Sequence, residues 1–199
     1  VLRPRTRHTV GREKAHAELR EALASAFAGK GLLMCVPGEP GMGKTTLVED
    51  FLSDLRAGGQ ACIIARGRCS ERLAGTEAYL PWLEALDGLL RGADAQGRSS
   101  VFGDESIVQT TKRLAPTWYA QALPLQPDDS SVERLLAERA ASQERMKREF
   151  GALLEEVSER RPLVLFFDDL HWADVSTIDL LAFLANKFDS MRVLIIATY

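Results

Sequence analysis

The chain has 199 residues, 46% of them hydrophobic and 27% charged, with a formal net charge of -3. That length supports one α/β domain with a sizeable core, or one domain with a small appendage, and the composition argues against extensive disorder. The mildly acidic balance excludes a broad basic face for nucleic acid and leaves Arg3, Arg5 and Arg7 as a solvated leader.

Residues 1–10 are polar and irregular. A helix is predicted from near Gly11, because His16, Leu19, Leu23 and Phe27 recur at helical spacing before Gly29 and Gly31. Residues 32–36 are apolar and run into a Pro/Gly-rich loop, which predicts a buried strand. The next helix carries Leu47, Val48, Phe51, Leu52 and Leu55 on its buried stripe and closes at Gly58-Gly59. Residues 61–65 read as a second buried strand. Strand, helix and strand with short connections make a parallel βαβ unit.

Residues 66–130 read as a mostly helical insertion, with a helix over 79–90 and a flexible loop over 92–100. Pro116, Pro124 and Pro127 interrupt the rest. Ser130 and Glu133 have capping-box spacing, and a helical pattern, broken near Ala141, continues towards Arg160. Met146, Phe150, Leu153, Leu154 and Val157 mark its buried face, and Arg161-Pro162 ends it. Residues 163–167 predict a third buried strand, ending in Asp168-Asp169. Asp174 then caps a helix whose Ile178, Leu181, Ala182 and Ala185 share a face, and residues 193–197 predict a fourth strand.

Cys35, Cys62 and Cys69 are odd in number and lack metal-ligand spacing, so no disulfide framework is expected. Cys35 and Cys62 lie inside apolar runs and read as buried thiols, which fits a reducing, cytoplasmic compartment. No apolar run approaches the ~20 residues of a membrane span. The chain begins at Val1 and stops at Tyr199 after an apolar run, so both ends read as cut from something longer.

Residues 38–45, Gly-Glu-Pro-Gly-Met-Gly-Lys-Thr, fit the pattern G-x-x-x-x-G-K-[ST] between a predicted strand and a predicted helix. Gly38, Gly41 and Gly43 let the backbone curl so that N–H groups point inward, with Glu39, Pro40 and Met42 between them. The helix beginning at Lys44 adds the positive end of its dipole. Lys44 supplies a full charge to β- and γ-phosphates, and Thr45, followed by Thr46, offers a hydroxyl to Mg²⁺. The expected ligand is a nucleoside triphosphate with Mg²⁺, and the loop alone does not distinguish ATP from GTP.

Ligands of open α/β sheets bind at the carboxyl ends of strands, and a neighbouring parallel strand would put Asp168 and Asp169 beside the loop. Asp168 is expected to hold Mg²⁺ and Asp169 to orient or deprotonate the attacking water. Its side chain is one methylene shorter than a Glu, which predicts slow or conditional hydrolysis. Without a metal, the same acids would simply cap the next turn.

The order of motifs resembles the ATPase module of the STAND class, an AAA-type domain found in bacterial LuxR-type regulators and in adenylate cyclase-linked and TPR-containing regulators. The residues concerned are Val10-Gly11-Arg12-Glu13, the loop at 38–45, Gly67-Arg68-Cys69, residues 168–174 and Ala197-Thr198-Tyr199. The resemblance implies a three-layer P-loop NTPase of ASCE-type order, with at least four mostly parallel strands and a truncated fifth, which would leave the strand bearing the phosphate loop as an exposed edge. It divides the chain into a linker and helix on the base side (1–30) and a core (31–199) with its insertion at about 70–130, the C-terminal part of the module being absent. It places Val10, Gly11 and Arg12 near the adenine. His171 and Trp172 would sense the γ-phosphate or only shape the turn, Tyr79, Pro81 and Trp82 belong to the core, and Arg66 and Arg68 have solvated or packing roles.

The function implied is a nucleotide-dependent switch that binds ATP and ADP, belongs to a longer chain and oligomerises with nucleotide. DNA would be reached only through other domains. Rival readings are a non-hydrolysing scaffold, a small-molecule P-loop kinase and a DNA-associated AAA-type loader.

Overall fold

The computed structural model describes residues 13–71, 78–91, 105–122 and 143–199. The four apolar runs are strands: β1 (Leu32–Val36), β2 (Ile63–Arg68), β3 (Leu163–Asp168) and β4 (Val193–Thr198). The helices are α1 (Glu13–Phe27), α2 (Lys44–Ala57), α3 (Leu80–Arg91), α4 (Glu105–Leu114), α5 (Pro116–Ala122), α6 (Gln143–Arg160) and α7 (Val175–Ala185). Short 3₁₀ turns cover Leu170–Trp172 and Phe188–Ser190.

All strand pairs are parallel and the order is β1-β4-β3-β2. A parallel sheet needs cover on both faces, which is why β3 and β4 can be continuous apolar runs. Alternate residues feed separate cores. Val164, Phe166, Leu194 and Ile196 pack with α1 and α2 through Leu19, Leu23, Val48, Phe51 and Leu52. Leu163, Leu165, Phe167, Val193 and Ile195 pack with residues from α3 to α7 on the opposite face. The result is three layers.

A row of rings fills the second core. Tyr79 meets Trp118, which meets Phe150, which meets Trp82, and Trp82 lies 4.4 Å from Phe167 between centroids. Both indoles are fully buried with satisfied N–H groups: Trp82 donates to the Thr177 carbonyl and Trp118 to the Met146 carbonyl.

Several expectations are corrected. β4 lies between β1 and β3, so the strand bearing the acids is one removed from the strand bearing the loop. β1 is only half-buried and Cys35 is exposed, while the place of β1 at the sheet edge among the described residues agrees with what the resemblance implies. Cys62 is half-buried, and the buried thiol is Cys69. The second strand spans 63–68 rather than 61–65, because its two arginines stay in register with β3. In α7 the buried face is Thr177, Leu180, Leu181 and Leu184, while Ile178, Ala182 and Ala185 face solvent. The predicted loop at 92–100 and the capping box at Ser130 and Glu133 lie outside the described residues.

Candidate functional site

The β1–α2 loop turns where its glycines permit. Gly41 and Gly43 sit at φ 82° and 72°, in the left-handed region that side chains disfavour. Gly43 is also the N-cap of α2, and no side chain caps that helix. The first-turn N–H groups of a helix have no intrahelical carbonyl, so this end offers donors and positive potential to an anion. Lys44 folds back over the loop: its Nζ donates to the Gly38 carbonyl at 2.6 Å and to the Glu39 carbonyl at 3.3 Å.

The acids meet α2 through Thr45, whose hydroxyl donates to Asp168 Oδ1 at 2.8 Å. The same oxygen accepts from Thr198 Oγ1 at 2.6 Å, and Thr198 Oγ1 in turn accepts from the Asp169 N–H at 2.9 Å. Thr198 is fully buried at the end of β4, the strand between β1 and β3. Asp169 has φ 56°, a left-handed conformation that Asp tolerates better than most residues. It begins the turn Leu170–Trp172, and Asp174 then caps α7 by accepting from the Thr177 N–H at 3.0 Å.

A second contact fixes α2 laterally. One turn beyond Thr45, the Glu49 carboxylate accepts two hydrogen bonds from Arg66 on β2, at 2.9 and 2.6 Å. This bidentate pair ties α2 to β2 one turn beyond Thr45, beside the buried stripe of the helix.

The predicted residues Lys44, Thr45, Asp168 and Asp169 thus converge on the carboxyl side of the sheet. Thr46, Glu39, Pro40 and Met42 are exposed around them. Val10, Gly11 and Arg12 lie outside the described residues. His171 and Trp172 are exposed, with their rings 5.1 Å apart. Thr198 carries a role that sequence reasoning did not assign; the available signal was a hydroxyl ending an otherwise apolar strand. The Glu49–Arg66 pair left no local signal, since its members are 17 residues apart.

Among the described residues no group of three His, Cys, Asp or Glu gathers as a metal site. One hydroxyl and one carboxylate suit Mg²⁺, which keeps several waters and takes phosphate oxygens as further ligands. The donor set therefore fits a cation that arrives with a nucleotide.

The family model for the AAA ATPase domain matches residues 8–196. The chain belongs to the AAA ATPase domain family. Membership implies nucleotide binding, typically with Mg²⁺, and agrees with the three-layer parallel architecture of a P-loop NTPase. A search of curated proteins found no match.

In this AAA ATPase domain a groove of about 380 Å³ opens beside the phosphate loop. Ala15 and Leu19 of α1, Met34 and Cys35 of β1, and Met42 and Lys44 line it. Around the other side of the sheet, Cys69 is buried, and its thiol is pushed up to about 12 by burial and then by Asp174, Glu84, Asp169 and Asp168. No helix among the described residues is long and apolar enough to cross a membrane.

Proposed function

We propose that this AAA ATPase domain is a Mg²⁺·ATP-dependent switch of the STAND class, set within a longer regulatory chain. The observation that carries the reading is the Thr45–Asp168 hydrogen bond of 2.8 Å at the head of an uncapped helix. It joins a hydroxyl and a carboxylate from two separate segments at the point where a triphosphate would end.

Lys44 exchanges its two carbonyl partners for β- and γ-phosphate oxygens, and the loop and first-turn N–H groups of α2 surround the chain of phosphates. Thr45 and Asp168 hold Mg²⁺, which when bound offsets the negative charge of the phosphates. Asp169, its backbone held by Thr198, orients a water towards the γ-phosphate. The short Asp169 side chain makes hydrolysis slow or conditional, as a switch requires. The base lies on the groove side of the loop, with Val10, Gly11 and Arg12 approaching it.

The STAND assignment is supported by the order of motifs from Val10 to Tyr199, and the switch role follows from that class. ATP and ADP then favour different arrangements of the surrounding domains, and a nucleotide-dependent oligomer is the expected output.

Calorimetry of the intact protein with Mg·ATP, Mg·ADP and ATP in EDTA tests the nucleotide site. Binding should be present in wild type, weaker without Mg²⁺ and reduced at least ~100-fold in Lys44→Ala, since a charged phosphate contact is removed. Identical heats for wild type and Lys44→Ala would sink the reading.

A further inference from the structure

We propose that Arg68 is the second cation of the γ-phosphate site, acting in cis beside Lys44; the assignment rests on the nucleotide reading above. Arg68 ends β2 and stands in register with Asp168 at the end of β3. Register partners in neighbouring parallel strands project from the same face, with their strands ~4.8 Å apart. The face is fixed independently, because Arg66, two residues earlier, reaches Glu49 on α2. Arg68 therefore projects on the α2 side, one strand beyond the carboxylate that meets Thr45.

Its main chain is held at two points. The Arg68 N–H donates to Glu84 Oε2 on α3 at 2.8 Å, and the Cys69 N–H donates to the Asp168 carbonyl at 3.0 Å. At Gly67 a β-carbon would fall 2.0 Å from the Pro81 carbonyl oxygen, so α3 presses directly on the strand there. Yet Arg68 is exposed, and among the described residues its guanidinium joins no ion pair, in contrast to Arg66.

Charge balance gives that guanidinium a task. Lys44 carries one positive charge and rests on the Gly38 and Glu39 carbonyls, while Asp174, Glu84, Asp169 and Asp168 all add negative potential at Cys69, the residue after Arg68. A triphosphate adds several negative charges more. In hydrolysis a water oxygen bonds to the γ-phosphorus as the bond to the β–γ bridging oxygen breaks. ADP keeps the electron pair, inorganic phosphate departs and one proton goes to solvent. Negative charge spreads over the γ-phosphoryl oxygens in the transition state, and a guanidinium can donate to two of them at once. An arginine in such a place also distinguishes ATP from ADP, because only ATP offers the oxygens it binds.

The test compares Arg68→Ala and Arg68→Lys with wild type in the intact protein. It reads Mg·ATP affinity, Mg·ADP affinity, turnover and thermal midpoint. Arg68→Ala should weaken ATP by ~10-fold, change ADP by less than ~2-fold and lower any turnover by on the order of 100-fold or more. Arg68→Lys should fall between. Unchanged ATP-over-ADP preference in Arg68→Ala would overturn the proposal, whether or not the wild type turns over. So would parallel losses of ATP and ADP binding with a lowered midpoint, since those mark a structural role. If wild type binds neither nucleotide and equals Lys44→Ala, the nucleotide reading fails first and Arg68 falls with it.

Discussion

Thr198 donates its hydroxyl proton to Asp168 at 2.6 Å, and the same oxygen receives the Asp169 N–H at 2.9 Å. One buried side chain on the middle strand therefore orients both acids. Thr198→Val keeps the shape, removes the donor and leaves the Asp169 N–H without its partner. The expected cost is about 1–3 kcal/mol, the range for orphaning a buried polar group. Turnover should fall more than nucleotide affinity, and Thr198→Ser should restore most of it. Equal affinity, turnover and denaturation midpoint for Thr198→Val and wild type would remove Thr198 from the site.

The Arg66–Glu49 pair is a positioning contact for the phosphate helix. Arg66 is 18% exposed and Glu49 41%, so solvent screens part of the attraction. A double-mutant cycle of Arg66→Ala and Glu49→Ala should yield a coupling of about 1 kcal/mol. Arg66→Lys should recover little of it, because an ammonium cannot reproduce two parallel bonds. Urea denaturation of the four proteins measures this directly. Additive single effects would show that the pair does not tie α2 to β2.

Gly67 tests how closely α3 lies on the sheet. A methyl group there would meet the Pro81 carbonyl oxygen at 2.0 Å and Phe167 Cε1 at 2.9 Å. Backbone cannot yield as a flexible side chain can, so Gly67→Ala should cost about 3 kcal/mol or more. The denaturation midpoint should drop, and nucleotide binding should weaken with it, since Asp168 is covalently next to Phe167. Wild-type stability in Gly67→Ala would contradict the packing.

The thiols should separate in reactivity. Cys35 is exposed and Cys69 buried, so alkylation of the native protein near pH 8 should mark Cys35 first and Cys69 last. The pH dependence has a definite sign. Below about pH 9 the Cys69 thiol is neutral in both folded and unfolded chains, from its unfolded value of 9.0, and stability is unaffected. Between that value and about 12 the unfolded chain ionises while the folded one does not, so stability falls as pH rises. Cys69→Ala should flatten that part of the alkaline slope in denaturation measured from pH 8 to 11. An unchanged slope would mean the thiol titrates alike in both states.

The loop, the acids and the strand–helix alternation were legible because each is local: a run of five or six residues or a fixed spacing. The neighbours of a strand are not local. An apolar run such as 32–36 reads the same at the edge of a sheet as in its middle, so β1 and Cys35 were expected to be buried. Arg66 reads as following the second strand because the partner that holds it inside lies on another element. The face of α7 is one position off the expected one, since Ile178 and Leu180 are equally apolar and only packing separates them. Thr198 belongs to a motif of the resemblance, but its two hydrogen bonds depend on β4 entering between β1 and β3.

The row of rings from Tyr79 to Phe167 has a mechanical consequence. Protein interiors are close-packed, and aromatic rings do not compress. The last ring precedes Asp168 in the chain, and the first two lie at the start of α3 and on α5. A push on α5 meets a continuous run of ring contacts that ends at the residue before Asp168. Anything that leans on that helix would act on the phosphate site from a distance of several side chains, without approaching it.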